Sequence, residues 1–198
     1  VFVKTRRFPA LLKQLQNAVR RTKDEREFEH LLALRSRGVP CPAPLAVARL
    51  GRLRIRETRL AMEFVVEAAS LRRTLLDGDA ASREIVLDRL AAFLRLLRDR
   101  GVVHGDLHWE NLLVRPSPAG PEFLLIDALH VCLVDPPPAG ADEFAATVQW
   151  FVGYMVHQDA PPEIVEAVLD RLASLDLSPL ADRAAVAAQA RRIAESLR

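Results

Sequence analysis

Apolar positions change their period along the chain. Val1 to Lys4 is a short β-branched and aromatic run that Arg6-Arg7-Phe8-Pro9 brings to an end, because proline cannot continue a ladder. One strand is expected there. From Ala10 to Arg20 the apolar residues Leu11, Leu12, Leu15 and Val19, and from Asp24 to Arg37 the residues Phe28, Leu31, Leu32 and Leu34, fall at helical spacing. Gly38 to Pro44 carries proline at positions 40, 42 and 44, a pattern that bars helix and predicts a stiff extended connector. Leu45–Leu50 and Leu53–Val66 predict a hairpin about Gly51 whose second arm runs through Met62-Glu63-Phe64-Val65-Val66.

Beyond that point the pattern turns helical. Ser70 opens a helix with Leu71, Leu75 and Leu76, and Ser82 to Arg100 predicts a longer one stopped by Gly101. Val102-Val103, a polar stretch from His104 to Asn111, Leu112–Val114, a Pro/Gly turn and Phe123–Ile126 ending in Asp127 predict a small hairpin with polar residues at its ends. Asp142–His157, Pro162–Leu172 and Asp182–Leu197 predict three further helices. The fold class is therefore α+β: a β-rich lobe over residues 1–66, a mainly helical lobe over 67–198, and a cleft between them as the natural site.

Composition narrows the options. The chain has 198 residues, half of them hydrophobic, which is enough for a packed core and excludes disorder. Lys and Arg number 28 against 26 Asp and Glu, so the balance argues against a nucleic-acid partner. The charge is unevenly placed, however. Residues 1–38 hold ten Lys/Arg and four acids, a basic end that could face phosphates or a membrane surface, although a solvated helix face is the simpler reading. Phe144–Val156 is free of charged residues but falls short of the roughly 20 residues needed to span a bilayer. Val1-Phe2-Val3-Lys4 reads as the middle of a strand, so the chain is read as a fragment. Cys41 and Cys132 show no paired spacing and fit free thiols in a reducing, cytoplasmic setting.

The densest polar cluster is His104-Gly105-Asp106-Leu107-His108-Trp109-Glu110-Asn111, enclosed by apolar runs. Asp106 and Asn111, five apart on a loop, suit a base for a hydroxyl proton and an amide oxygen for a divalent cation. Asp127 closes a hydrophobic strand, where a carboxylate costs several kcal/mol unless a cation or metal answers it. Asn111 with Asp127 thus makes a two-ligand Mg²⁺ site, completed by water and phosphate oxygens. Only three Lys occur, at 4, 13 and 23, so a Lys inside a strand stands out.

HxDxxxxN at 104–111, followed by a strand ending in Asp127, resembles the catalytic loop and metal-binding Asp of the protein-kinase-like superfamily, in the HGD form of small-molecule and sugar kinases. Val1-Phe2-Val3-Lys4 is similar to that superfamily's lysine strand. Glu27-Phe28 with Leu31, Gly38-Val39-Pro40-Cys41-Pro42, and Leu125-Ile126-Asp127 with His130-Val131 resemble the bacterial lipopolysaccharide (Kdo) kinase family. The resemblance implies a bilobal protein-kinase-like fold with a truncated β-rich N-lobe, ATP and Mg²⁺ as cofactors, and a sugar or lipopolysaccharide-core acceptor, reached from the cytoplasm or the inner face of its membrane. It implies that Lys4 contacts the α- and β-phosphates and pairs with Glu27, that Asp106 orients or deprotonates the acceptor hydroxyl, and that Asn111 and Asp127 hold Mg²⁺. Met62–Val65, with Glu63 and Val65 as adenine contacts, becomes the inter-lobe hinge. The family's Gly-rich loop has no counterpart in these residues, and Ala128-Leu129 replaces Phe-Gly after Asp127.

Competing readings stand beside this one. Glu29 rivals Glu27 as the lysine partner; Glu27 shares a helical face with Leu31 and Leu34, whereas Glu29 shares one with Leu32. His104, Asp106 and His108 could be the ligands of a metallohydrolase. HGDLHxxN also fits aminoglycoside-type kinases, and a non-catalytic pseudokinase would keep the motifs without turnover.

Overall fold

The computed structural model describes residues 1–135 and 142–173, together with 188, 191–193, 195 and 196. The expected helix over 182–197 lies largely outside the described residues, as does the Pro136–Pro138 loop. A three-stranded antiparallel sheet is formed by β1 (Phe2–Arg7), β2 (Pro44–Leu50) and β3 (Glu57–Met62), in the order β1-β3-β2. Lys4 stands opposite Leu60 and Arg6 opposite Thr58, so these four side chains share one face. That face is covered by α2 (Lys23–Ser36), which turns Asp24, Glu27, Leu31 and Leu34 inward. Thr22 begins α2 with a capping box: its hydroxyl accepts from the Glu25 N–H, and the Glu25 carboxylate accepts from the Thr22 N–H at 2.7 Å. A shorter helix, α1 (Leu11–Val19), precedes it.

Two ends differ from the sequence expectation. β1 continues through Arg7, because Arg6 and Arg7 remain paired with Thr58 and Glu57 and the proline acts only at Pro9. The second hairpin arm stops at Met62 rather than Val66: Glu63 makes a last backbone contact, its N–H donating to the Ala43 carbonyl at 2.8 Å, but the Ala43 N–H goes to the Glu63 carboxylate at 3.0 Å instead of to a strand carbonyl. The segment after β3 is therefore a connector.

A two-residue strand β4 (Ala69–Ser70) leads into α3 (Leu71–Asp77) and α4 (Ala80–Asp99). α4 starts two residues before the expected Ser82, because Asp79 caps it by accepting the Ser82 N–H at 2.7 Å. β5 (Val102–His104) pairs with β8 (Val131–Leu133), and β6 (Leu112–Arg115) lies between β4 and β7 (Glu122–Leu125). The loop 105–111 is thus held at both ends by strands. α5 (Asp142–His157) and α6 (Pro162–Ala173) complete the helical part. Leu90, Leu94 and Leu97 of α4, Leu107 and Trp109 of the loop, and Phe144, Phe151 and Met155 of α5 are buried in one continuous core with Leu31, Leu34 and Leu60. The loop carrying the polar cluster is therefore anchored by its own apolar residues.

Candidate active site

A strand repeats its face every second residue and a helix roughly every third or fourth, so two ion pairs can run side by side between β1 and α2. Lys4 Nζ donates to both carboxylate oxygens of Glu27 at 2.9 Å, and Arg6 Nε donates to Asp24 at 2.6 Å. Arg6 also lies 3.6 Å from Glu27. Glu27 and Asp24 are fully buried. Burial pushes the Glu27 carboxyl above the usual range and Asp127 adds to this, while Lys4 and Arg6 pull it back only in part. Glu29 instead pairs on the surface with Arg21 at 2.6 Å.

The same Lys4 ammonium reaches Asp127 at 3.1 Å. Asp127 follows β7 with φ 54° and ψ 58°, left-handed backbone that Asp tolerates better than most residues but that still costs about 1–3 kcal/mol. Neighbouring backbone bonds hold it there: the Ile126 N–H donates to the Asn111 carbonyl at 2.9 Å, and the Gly105 N–H to the His130 carbonyl at 3.0 Å. His30 Nδ1 lies 2.7 Å from the Ala128 carbonyl, tying α2 to the turn just past Asp127.

Within the loop, the Asp106 backbone is fixed from both sides. Its N–H donates to His104 Nδ1 at 3.1 Å, and its carbonyl accepts from Asn111 Nδ2 at 3.0 Å. The first bond requires His104 to be neutral, with its proton on Nε2. Burial lowers the His104 pKa to about 4, although the backbone and charge of Asp127 oppose the shift; Nε2 itself has no hydrogen bond of good geometry. The His104 N–H donates to Thr147 Oγ1 of α5 at 3.2 Å. Asp106's own carboxylate makes no hydrogen bond or ion pair with any described residue.

Lys4, Glu27, Glu63, Val65, Asn111 and Asp127 line one cleft of about 410 Å³. Asp106 lies outside that lining and borders it through Asn111. Glu63 spends its N–H and carboxylate on Ala43, whereas Val65 makes no backbone hydrogen bond with described residues. His104, Asp106 and His108 are not assembled as ligands: the described residues contain no group of three or more His, Cys, Asp or Glu that could hold a metal ion. Sequence reasoning missed Arg6, Asp24 and Thr58, whose hydroxyl donates to Asp24. The signal was present, since Asp24 extends the inward stripe of Glu27, Leu31 and Leu34 by one helical step.

A lysine strand, a helical glutamate, a loop aspartate with a following asparagine, and an aspartate after the next strand pair define a protein-kinase-like fold. The solved structure described as WaaP in complex with acyl carrier protein superposes with a TM-score of 0.62, over 88% of this chain and 76% of that one, at 16% identity. The yeast RNA polymerase II CTD kinase complex CTDK-1 gives a TM-score of 0.45 over 68% of this chain and 40% of that one, at 12% identity. The model of the lipopolysaccharide kinase (Kdo/WaaP) family matches residues 5–134, and the chain belongs to that family. No curated protein matches it significantly. The chain is accordingly a kinase by class.

Proposed function

We propose that the protein transfers the γ-phosphoryl group of ATP, with Mg²⁺, to a sugar hydroxyl of lipopolysaccharide or a related glycan on the cytoplasmic side of the membrane. The observation that carries the reading is the Lys4 ammonium joined to buried Glu27 and open Asp127 in a cleft that Asn111 and the connector after β3 also line. Lys4 would hold the α- and β-phosphates, with Glu27 fixing its position. The donor set fits a hard cation: Asn111 commits its amide nitrogen to Asp106, which leaves Oδ1 for the cleft, and Asp127 brings a half-exposed carboxylate. A divalent ion bound there neutralises phosphate charge and aligns donor and acceptor. Val65, with its backbone N–H and C=O unspent, suits the edge of an adenine ring. Asp106, held by its backbone and free at its carboxylate, would orient the acceptor hydroxyl and take its proton.

The test is calorimetric titration of ATP with Mg²⁺, paired with phosphoryl transfer to deacylated lipopolysaccharide core. Asp127→Ala should abolish metal-dependent binding. Asp106→Asn should keep nucleotide affinity and lose turnover by a factor on the order of 10³. Absence of nucleotide binding by the wild type removes the reading, and turnover only on aminoglycosides redirects it to that acceptor class.

A further inference from the structure

A second cleft, of about 680 Å³, opens between β1, α1 and α2 and shares no lining residue with the Lys4 cleft. From α1 it takes Lys13, Gln16, Asn17 and Arg20, and from the first turn of α2 it takes Lys23 and Arg26. Three further cations that line it, Arg6, Arg7 and Arg21, are already paired with Asp24, Glu57 and Glu29. Lys13, Arg20, Lys23 and Arg26 form no ion pair with a described residue, and the described lining contains no carboxylate. Like charges gathered in one concavity repel each other and focus a positive field there, which costs the folded chain stability.

Asn17 is a separate observation on the same lining. It is only 7% exposed, yet its Nδ2 has no hydrogen-bond partner among the described residues. A buried donor left without an acceptor costs about 1–3 kcal/mol, and such groups in folded proteins call for an explanation. Charged and neutral donors thus line one cleft.

We propose that this cleft binds a soluble ligand carrying at least two phosphate groups. Lys13 and Arg20 stand two turns apart on α1, roughly 10 Å along the helix axis, and Lys23 and Arg26 one turn apart on α2, so a single phosphate reaches only part of the set. Arg20 and Arg26 offer planar forks for paired phosphate oxygens, Lys13 and Lys23 add point charges, and an oxygen seated beside Asn17 accepts its amide proton. The volume is that of a small-ligand site. A lipid surface is the poorer source of the phosphates. The exposed Leu11, Leu12, Leu15 and Val19 lie on the opposite side of α1, so they cannot enter a bilayer while the cations meet its headgroups. The proposal is independent of the phosphotransferase reading, since the two clefts have separate linings.

The experiment is calorimetric titration of inorganic pyrophosphate into the full chain in EDTA, where a Mg²⁺-dependent nucleotide site is silent. Pyrophosphate should bind, raise the melting temperature, and bind at least tenfold more tightly than orthophosphate. The double variants Lys13→Gln, Arg20→Gln and Lys23→Gln, Arg26→Gln should each lose at least tenfold in affinity. Their own melting temperatures should be no lower than that of the wild type, because each removes like-charge repulsion. Arg52→Gln, Arg54→Gln removes the same charge from exposed positions outside the cleft and should bind like the wild type. The proposal is overturned if the wild type does not bind pyrophosphate, if orthophosphate binds equally well, or if all three double variants behave alike. Tighter binding of a hexaglutamate peptide, or of phosphatidic acid vesicles, than of pyrophosphate would also overturn it, by making the ligand an acidic chain or a lipid surface.

Discussion

Lys4 and Asp127 stand 123 positions apart in the chain and meet in an ion pair of 3.1 Å. The same ammonium holds Glu27, so one cation is shared between a buried carboxylate and one whose side chain is 42% exposed. The buried partner anchors it, and the open partner can exchange it for a ligand. Lys4→Met should therefore cost more stability than Glu27→Gln. The methionine leaves a buried carboxylate with only Arg6 nearby, a loss of about 2–3 kcal/mol, whereas the glutamine removes the charge that was costly to bury. Both should lower kcat/KM on the order of 100-fold. The sign of the pH effect follows from Glu27, whose folded pKa is raised. Without Lys4 it rises further, so the variant should be less stable at pH 8 than at pH 5 relative to the wild type; urea melts at both values, with equal destabilisation, would refute this.

Glu29→Ala is the matching control. Its bond to Arg21 joins two exposed side chains, worth at most about 1 kcal/mol, and it faces away from the cleft lysine. Activity should be unchanged, and a loss comparable to that of Glu27→Gln would mean that the partner has been misassigned.

His104 gives the fold an acid limit. Burial holds its folded pKa at about 4 against an ordinary 6.5, so the unfolded chain takes up a proton that the folded chain refuses. Stability should be fully present above pH 6.5 and fall progressively towards pH 4, by on the order of 3 kcal/mol across the window. Asp106 is exposed to the same event, because an imidazolium cannot accept its N–H. His104→Gln should flatten that pH dependence in thermal melts between pH 6.5 and 4.5, and a slope as steep as the wild type's would assign the acid limit to other groups.

What the sequence disclosed depended on range. His104, Asp106 and Asn111 were legible because their environment is local: apolar strands on either side make the enclosed polar residues conspicuous. Asp127 was legible for the same reason. The helix α2 was readable from its stripe, and the stripe also favoured Glu27 over Glu29. The end of β3 was not, because what stops it is a return contact from Glu63 to Ala43 across 20 positions, which leaves no periodic trace. The orientation of α1 was equally hidden. Its leucine spacing predicts a helix but does not say which side meets the protein, and here the hydrogen bonds of Gln14 and the buried Asn17 decide against the leucines. Arg6 read as a strand terminator, although its partner Asp24 lay on the stripe already identified.

Asp24 is where that oversight becomes testable. It is fully buried, accepts Arg6 Nε at 2.6 Å and the Thr58 hydroxyl, and so clasps α2 to both β1 and β3 one helical step from Glu27. Asparagine at this position fills the same volume but turns an N–H₂ group toward one of two donors and leaves the guanidinium with only the more distant Glu27 carboxylate, 3.6 Å away and already shared with Lys4. The cost should be about 3 kcal/mol, at the lower end for a broken buried pair because Arg6 is 27% exposed. The urea midpoint should fall with the slope unchanged. Because the Lys4–Glu27 pair is the next rung of the same ladder, a loosened α2 also misplaces the ammonium. If Lys4 holds phosphate as proposed, a displacement near 1 Å costs up to about 100-fold in rate, so kcat/KM should fall by 10- to 100-fold at temperatures where Asp24→Asn remains folded. A variant that melts early yet turns over normally when folded would show that Asp24 secures the fold alone and that Lys4 is aimed by Glu27 without it.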